Sequence, residues 1–180
     1  RQRQKCIKTD ISYRFTRKED TDTYHITQRF QTPLHPVLQI NARKEKIRSV
    51  KVNDVPATWQ SIESAHGYPL LSIQAEGTSS TTITIEWEGA PLHTLAAQEP
   101  VIASNGKLAL QIPSGASISQ VYDPQSVLAK HTMGATAFKA QIKGETGHHT
   151  FFVYTHQREM DCWQPVNIYI ENTRKAPSYT

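Results

Sequence analysis

The chain has 180 residues, 37% of them apolar and 20% charged, with a formal net charge of +4 at neutral pH. That length suits one large β-sandwich or two small ones, at about 100–150 residues per domain. Such sandwiches need apolar residues only at alternate strand positions, so a core can still form and disorder is excluded for the bulk of the chain. No run of about 18 apolar residues exists, which excludes a helical membrane span.

Strand signals recur about every 8–12 residues, and helical periodicity is nearly absent. In TYHITQRF, Tyr24, Ile26 and Phe30 share one face, with Gln28 breaking the pattern. KIRSVKVND places Val50 and Val52 opposite Lys51. Asn53-Asp54 then supplies turn chemistry, and Pro56 ends ladder pairing. After a turn at Gly77-Thr78-Ser79-Ser80, TTITIEWEG is the cleanest strand: Ile83, Ile85 and Trp87 point to the core, Thr82, Thr84 and Glu86 away from it. Residues 89–100 lack alternation and carry Pro91, Pro100 and three alanines. They read as the connection between two halves, with room for a short helix.

The rhythm then resumes. Asn105-Gly106 is a tight-turn signal, and Leu108, Leu110 and Ile112 face inward in NGKLALQIP. SISQVYDPQSVL is a strand closed by Asp123-Pro124, and ATAFKAQIKGETG a strand followed by a glycine-bounded turn. HHTFFVYTH is apolar on both faces through Phe151, Phe152, Val153 and Tyr154, the pattern of a central strand covered on both sides. WQPVNIYIE turns Val166, Ile168 and Ile170 inward and Tyr169 outward. About seven strands per half result. The expected architecture is all-β: two antiparallel β-sandwich modules over residues 1–98 and 99–180, the second immunoglobulin-like.

Candidate chemistry is sparse. His148, His149 and His156 flank one strand, with His131 and Asp161 in reserve. His148 and His156 share a face but lie roughly 27 Å apart when extended. One zinc ion, with ligand bonds of about 2.0–2.1 Å, cannot span that gap. A small hydrolase would need His131, His149 or His156 to converge on Asp161. Glu86 and Glu88 flank Trp87 about 6–7 Å apart, a separation used by glycosidase carboxylates, yet adjacent outward glutamates on one strand are ordinary solvated positions. Ser117, Ser119 and Ser126 have no nucleophile-elbow motif around them. No phosphate-binding loop, dinucleotide fingerprint or calcium loop occurs. No catalytic residue, metal or cofactor is therefore assigned.

The basic residues fall at the ends (Arg1, Arg3, Lys5, Lys8, Arg174, Lys175) and in the run 43–51. Aromatic residues do not interleave with them as single-strand binders require, so nucleic acid is not an expected partner. Cys6 and Cys162 could staple the two ends of the chain in an oxidising compartment, or remain thiols. There is no initiator methionine or signal-peptide pattern. With ends reading RQRQK and RKAPSYT, the chain is expected to be a processed protein or a segment of a longer one. Trp59, Tyr68 and Trp163 sit beside turn-rich stretches and form a candidate platform for stacking on sugar rings.

The stretches VKVNDVPATW, PLLSIQA and TTITIEWEG resemble the β-sandwich modules attached to large bacterial polysaccharide-degrading enzymes. Those modules often carry a V-x-V-N-G hairpin, here with Asp54 at the glycine position. HHTFFVY and WQPVNIYIE are similar to the last strands of an immunoglobulin-like accessory module. The resemblance implies a non-catalytic accessory region of a secreted or periplasmic carbohydrate-processing protein, adjoining a catalytic domain such as a glycoside hydrolase in the same chain. It carries over no catalytic residue. The alternative is an autonomous carbohydrate-binding module, which an exposed aromatic row would favour.

Overall fold

The computed structural model describes residues 3–5, 10–95 and 99–171. Their regular structure is β-strand throughout, and no helix is long and apolar enough to cross a membrane. The chain divides into two compact units, Arg1–Glu63 with Pro69–Leu92, and Ser64–Tyr68 with His93–Thr180.

The first unit holds nine strands: β1 (Arg3–Lys5), β2 (Ile11–Lys18), β3 (Thr21–Gln28), β4 (Val37–Asn41), β5 (Lys44–Val52), β6 (Val55–Pro56), β7 (Gln60–Ser61), β8 (Leu70–Gln74) and β9 (Ser80–Pro91). They form a six-stranded sheet, β1-β2-β3-β9-β5-β6, and a three-stranded sheet, β4-β8-β7, with every pair antiparallel. Strict alternation in β9 buries Ile83, Ile85 and Trp87, and β8 contributes Leu71 and Ile73 to the interior. The strand runs on to Pro91, into the first three residues of the stretch expected to be a connection. Gly89 makes this continuation possible. Its φ of 88° suits the register shift opposite Lys44 and Lys46, and a Cβ there would lie 2.6 Å from Glu45 Oε1.

Gln28, which interrupts the apolar pattern of β3, is 6% exposed. Its amide donates to the carbonyls of Leu34 and Thr78 and accepts from the Leu34 N–H, so burial leaves none of these groups unpaired. Phe30 lies beyond the strand and is exposed.

Asn53 and Asp54 both adopt positive φ, 50° and 65°, as a two-residue hairpin turn between β5 and β6 demands. The left-handed conformation is costlier for Asp than for Gly. Asp54→Gly is therefore expected to leave the hairpin intact and raise stability by up to about 0.5 kcal/mol, read as a small upward shift of the thermal midpoint. A marked fall would show that the Asp54 side chain makes a contribution the turn geometry does not require.

The second unit holds β10 (Val101–Ala103), β11 (Lys107–Gln111), β12 (Ser117–Tyr122), β13 (Leu128–Met133), β14 (Ala137–Ile142), β15 (Gly147–Gln157) and β16 (Met160–Glu171). They sort into a four-stranded sheet, β10-β16-β15-β12, and a three-stranded sheet, β11-β14-β13. Lettered A to G in chain order, the sheets read A-G-F-C and B-E-D. That is the immunoglobulin arrangement, with the first strand laid parallel against the last instead of beside the second. Between the sheets lie Leu108, Phe138, Ile142, Phe151, Val153, Val166, Ile168 and Ile170. Asn105, with φ 67°, leads the turn into β11, and Gly106 N–H donates to Ala103 O. The Asp123 carboxylate accepts from Leu128 N–H, as its turn position suggests.

Candidate ligand-binding face

Strand β15 pairs with β16 along its whole length and with β12 on its other side. Its odd-numbered residues Phe151, Val153, Thr155 and Gln157 are buried. Phe152 and Tyr154 point to the opposite face and are half-buried. The strand expected to be covered on both sides is thus covered on one, and its outer face is aromatic.

Neighbouring strands add to that face. Trp163 lies directly across from Tyr154, with ring centroids 5.1 Å apart. Simple alternation from Ile118, which is buried, would turn Tyr122 inward. The register with β15 instead shifts between Ile118 and Gln120, so that Ser119 is absorbed as a bulge. Val121 then faces Val153 and Tyr122 faces Phe152. Tyr122 is 58% exposed, and its ring lies 6.2 Å from Phe152 and 6.4 Å from Trp163.

Segment Ser64–Tyr68 extends this sheet locally. Trp163 N–H donates to Ala65 O, Gly67 N–H donates to Trp163 O, and the Gln164 amide donates to Gly67 O. Gly67 has φ +80° with open space where a Cβ would be, so glycine is needed there for backbone reasons alone. The His66 ring meets Phe152 edge-on at 5.6 Å. Tyr169 N–H, in the same phase of β16 as Trp163, donates to Pro100 O. Pro165 lies between them on the edge-facing phase, where a missing N–H costs no ladder bond.

Hydrogen-bonding side chains flank the rings. His156 Nδ1 contacts an Asp161 carboxylate oxygen across β15 and β16, which is the convergence a small hydrolase would need, while His131 and His149 meet other partners. Thr150 Oγ1 donates to Asn167 Oδ1 at 2.8 Å. At the far end His148 Nδ1 lies 2.6 Å from Glu99 Oε1, and its ring sits 5.0 Å from Tyr169. The face therefore offers apolar ring planes bordered by donors and acceptors.

Of the sequence-derived platform, Trp163 lies on this face. Trp59 belongs to the first unit, half-buried just before β7. Tyr68 is 49% exposed and lines a hollow of the second unit with Leu110, Gln164 and Asn167. On this face Trp163 is joined by Tyr122, Phe152, Tyr154 and His66, none of which the sequence singled out as a ligand contact.

His131 stacks on Phe138 at 5.8 Å, and His149 Nε2 lies 3.0 Å from Glu145 O. Glu86 accepts from Ser49 Oγ, and Glu88 lies near Lys46 and Arg48. The run 43–51 is largely neutralised, since Arg43 and Lys44 also pair with Asp20. Cys162 is a buried free thiol, pushed up by burial despite contacts from Thr155 and Gln164. Cys6 lies outside the described residues.

In the first unit the only buried carboxylate among the described residues is Asp22, 1% exposed. It accepts from Arg17 Nε (2.7 Å) and Nη2 (3.1 Å), Arg43 Nη1 (3.0 Å) and Trp87 Nε1 (3.1 Å). The Asp22 hydrogen bond raises Arg17 further above its ordinary value. Burial, followed by the Asp22 charge, pushes Tyr24 up to about 12. This is a structural ion cluster with all four oxygen contacts used by the protein itself.

Comparison with known protein families finds no match, and comparison with curated proteins finds none either. Among solved structures the chain is similar to tandem Ig repeats of Dlar, with 11% identity over 85% of this chain and 90% of that one and a TM-score of 0.27. It is also similar to the N-terminal Ig1-2 module of the Drosophila receptor protein tyrosine phosphatase DLAR, with 9% identity over 84% and 91% and a TM-score of 0.29. Likeness at this level carries no argument, and the immunoglobulin-like assignment rests on the strand order of the second unit.

Proposed function

We propose that the chain is a non-catalytic β-sandwich region of a carbohydrate-processing protein, and that the outer aromatic face of its second unit binds a glycan. The observation that carries this reading is the gathering of exposed Tyr122 with half-buried Phe152, Tyr154 and Trp163 on the outer surface of one sheet. Sugar rings present C–H faces that pack on aromatic planes, while their hydroxyls need nearby donors and acceptors. His156, Asp161, Thr150 and Asn167 supply those. Binding of this kind holds a polysaccharide near a catalytic domain, and breaks no bond itself. A secreted or periplasmic setting follows from such a substrate.

A second reading has one observation in its favour. Val101, 66% exposed, and Tyr122 leave apolar surface on the same sheet, which a neighbouring catalytic domain in a longer chain would cover. Affinity electrophoresis separates the two. Gels containing hydroxyethyl cellulose, galactomannan or soluble starch should retard the chain in at least one case, and Tyr122→Ala should weaken that retardation about five- to tenfold, the worth of one exposed ring contact. Free migration in all three supports the docking face instead.

A further inference from the structure

Charge in the second unit is segregated. Its acids Glu99, Asp123, Glu145, Glu159, Asp161 and Glu171 lie in turns or on the β10-β16-β15-β12 sheet. Of its four described lysines, Lys143 lies in the turn after β14 and the other three are on the other sheet. Lys107 on β11 and Lys130 on β13 both stand opposite Gln141 of β14, one from each side. Lys139 is two residues along β14, opposite Ala109 and Thr132. Alternation on β14 buries Phe138, Ala140 and Ile142 and turns Lys139 and Gln141 outward. All three lysines therefore line one shallow concavity, floored by Ala109, whose small side chain leaves it open. None of the three forms an ion pair with a described residue, in contrast to the neutralised run 43–51 of the first unit.

Lysines on edge strands also discourage sheet-to-sheet pairing. That explains Lys107 and Lys130, which lie on the edges β11 and β13. It does not explain Lys139 on the central strand, nor the exclusion of every acid from this face.

We propose that this concave face is an anion-binding surface for an acidic polysaccharide, one bearing carboxylate groups along its length. Lys107 and Lys130 are about 10 Å apart across three strands, and Lys139 is offset by about 6–7 Å along the strand direction. Compact ammonium groups at such intervals suit a polymer with regularly spaced charges. Thr132 and Gln141 sit between them and can hydrogen-bond sugar hydroxyls. Among the described residues the one ring lining this face is the His131 imidazole, already stacked on Phe138, so the row of free aromatic planes that single-stranded nucleic acid requires is missing. The surface is distinct from the aromatic face and does not depend on the reading given to that face.

The test uses the full chain and four probes: polygalacturonate, dextran sulfate, neutral dextran and a 20-nucleotide single-stranded DNA. Retardation by polygalacturonate that weakens with salt, exceeds that by neutral dextran and DNA, and falls roughly tenfold or more in Lys107→Glu/Lys130→Glu/Lys139→Glu supports the proposal. The corresponding triple arginine variant should retain binding, and so should Tyr122→Ala, which touches only the aromatic face. The three positions are exposed, so circular dichroism of the charge-reversed chain should match the parent. No binding of polygalacturonate, binding unchanged by charge reversal, or tighter binding of DNA or of dextran sulfate overturns it.

Discussion

Asp22→Ala is expected to destabilise the first unit by about 3 kcal/mol. The carboxylate has almost no contact with water, and every donor that reaches it comes from a different part of the chain: Arg17 on β2, Arg43 before β5 and Trp87 on β9. Removing it leaves the buried Trp87 N–H without an acceptor, at about 1–3 kcal/mol. It also leaves two neighbouring guanidinium groups without the acid between them, Arg43 keeping as counter-charge only the longer contact to Asp20 at 3.6 Å. Arg17 is half exposed and can rehydrate, which keeps the total below the full cost of a broken buried pair. Asp22→Asn keeps an acceptor for Trp87 but loses the charge, and should cost roughly half as much. Hydrogen exchange reads the effect locally: amide protection in β3 and β9 should fall by about a hundredfold in Asp22→Ala. Unchanged protection would mean that the arginines hold the sheet together without the acid between them.

Phe138→Ala should cost the second unit about 3–5 kcal/mol. Phe138 is fully buried at the centre of the β11-β14-β13 sheet, packed against Phe151 of the facing sheet at 5.7 Å and beneath His131. Truncation removes the principal ring contact between the two layers and leaves a cavity that strands on both sides are too constrained to close. Phe138→Leu refills most of that volume and should cost under about 1.5 kcal/mol. Urea unfolding followed by near-ultraviolet circular dichroism gives both values. A loss below about 1 kcal/mol for the alanine variant would show that the layers repack around the site.

The strands most legible in the sequence are those whose residues alternate without interruption. TTITIEWEG and WQPVNIYIE place their core residues by period alone, and the structure buries Ile83, Ile85, Trp87, Val166, Ile168 and Ile170 as the pattern requires. Asn53-Asp54 and Asn105-Gly106 mark turns because few other residues accept the positive φ found there. Other features depend on partners that sequence proximity does not reveal. Asp22 reads as an exposed strand residue until Arg17, Arg43 and Trp87 converge on it. Tyr122 reads as inward by alternation, and only the bulge at Ser119 turns it to the surface. Phe152 and Tyr154 look like core because apolar runs do not say which face a second layer covers. Segment Ser64–Tyr68 belongs with the second unit although its neighbours on both sides belong to the first, a division set by long-range contacts. The i, i+2 spacing of Phe152 and Tyr154, set beside Trp163 in the next strand, was the one local signal that could have exposed the aromatic face.

Glycan binding by that face is tested most directly at Trp163 itself. Trp87 is buried in the first unit and Trp59→Phe removes the other tryptophan, so a binding-induced change in emission reports Trp163. Titration of that variant with hydroxyethyl cellulose, galactomannan and soluble starch in turn should give a saturable change with at least one, and Tyr122→Ala should shift the midpoint about five- to tenfold upward. Emission that stays constant with all three, or a response that Tyr122→Ala leaves untouched, contradicts a glycan-binding role for the aromatic face.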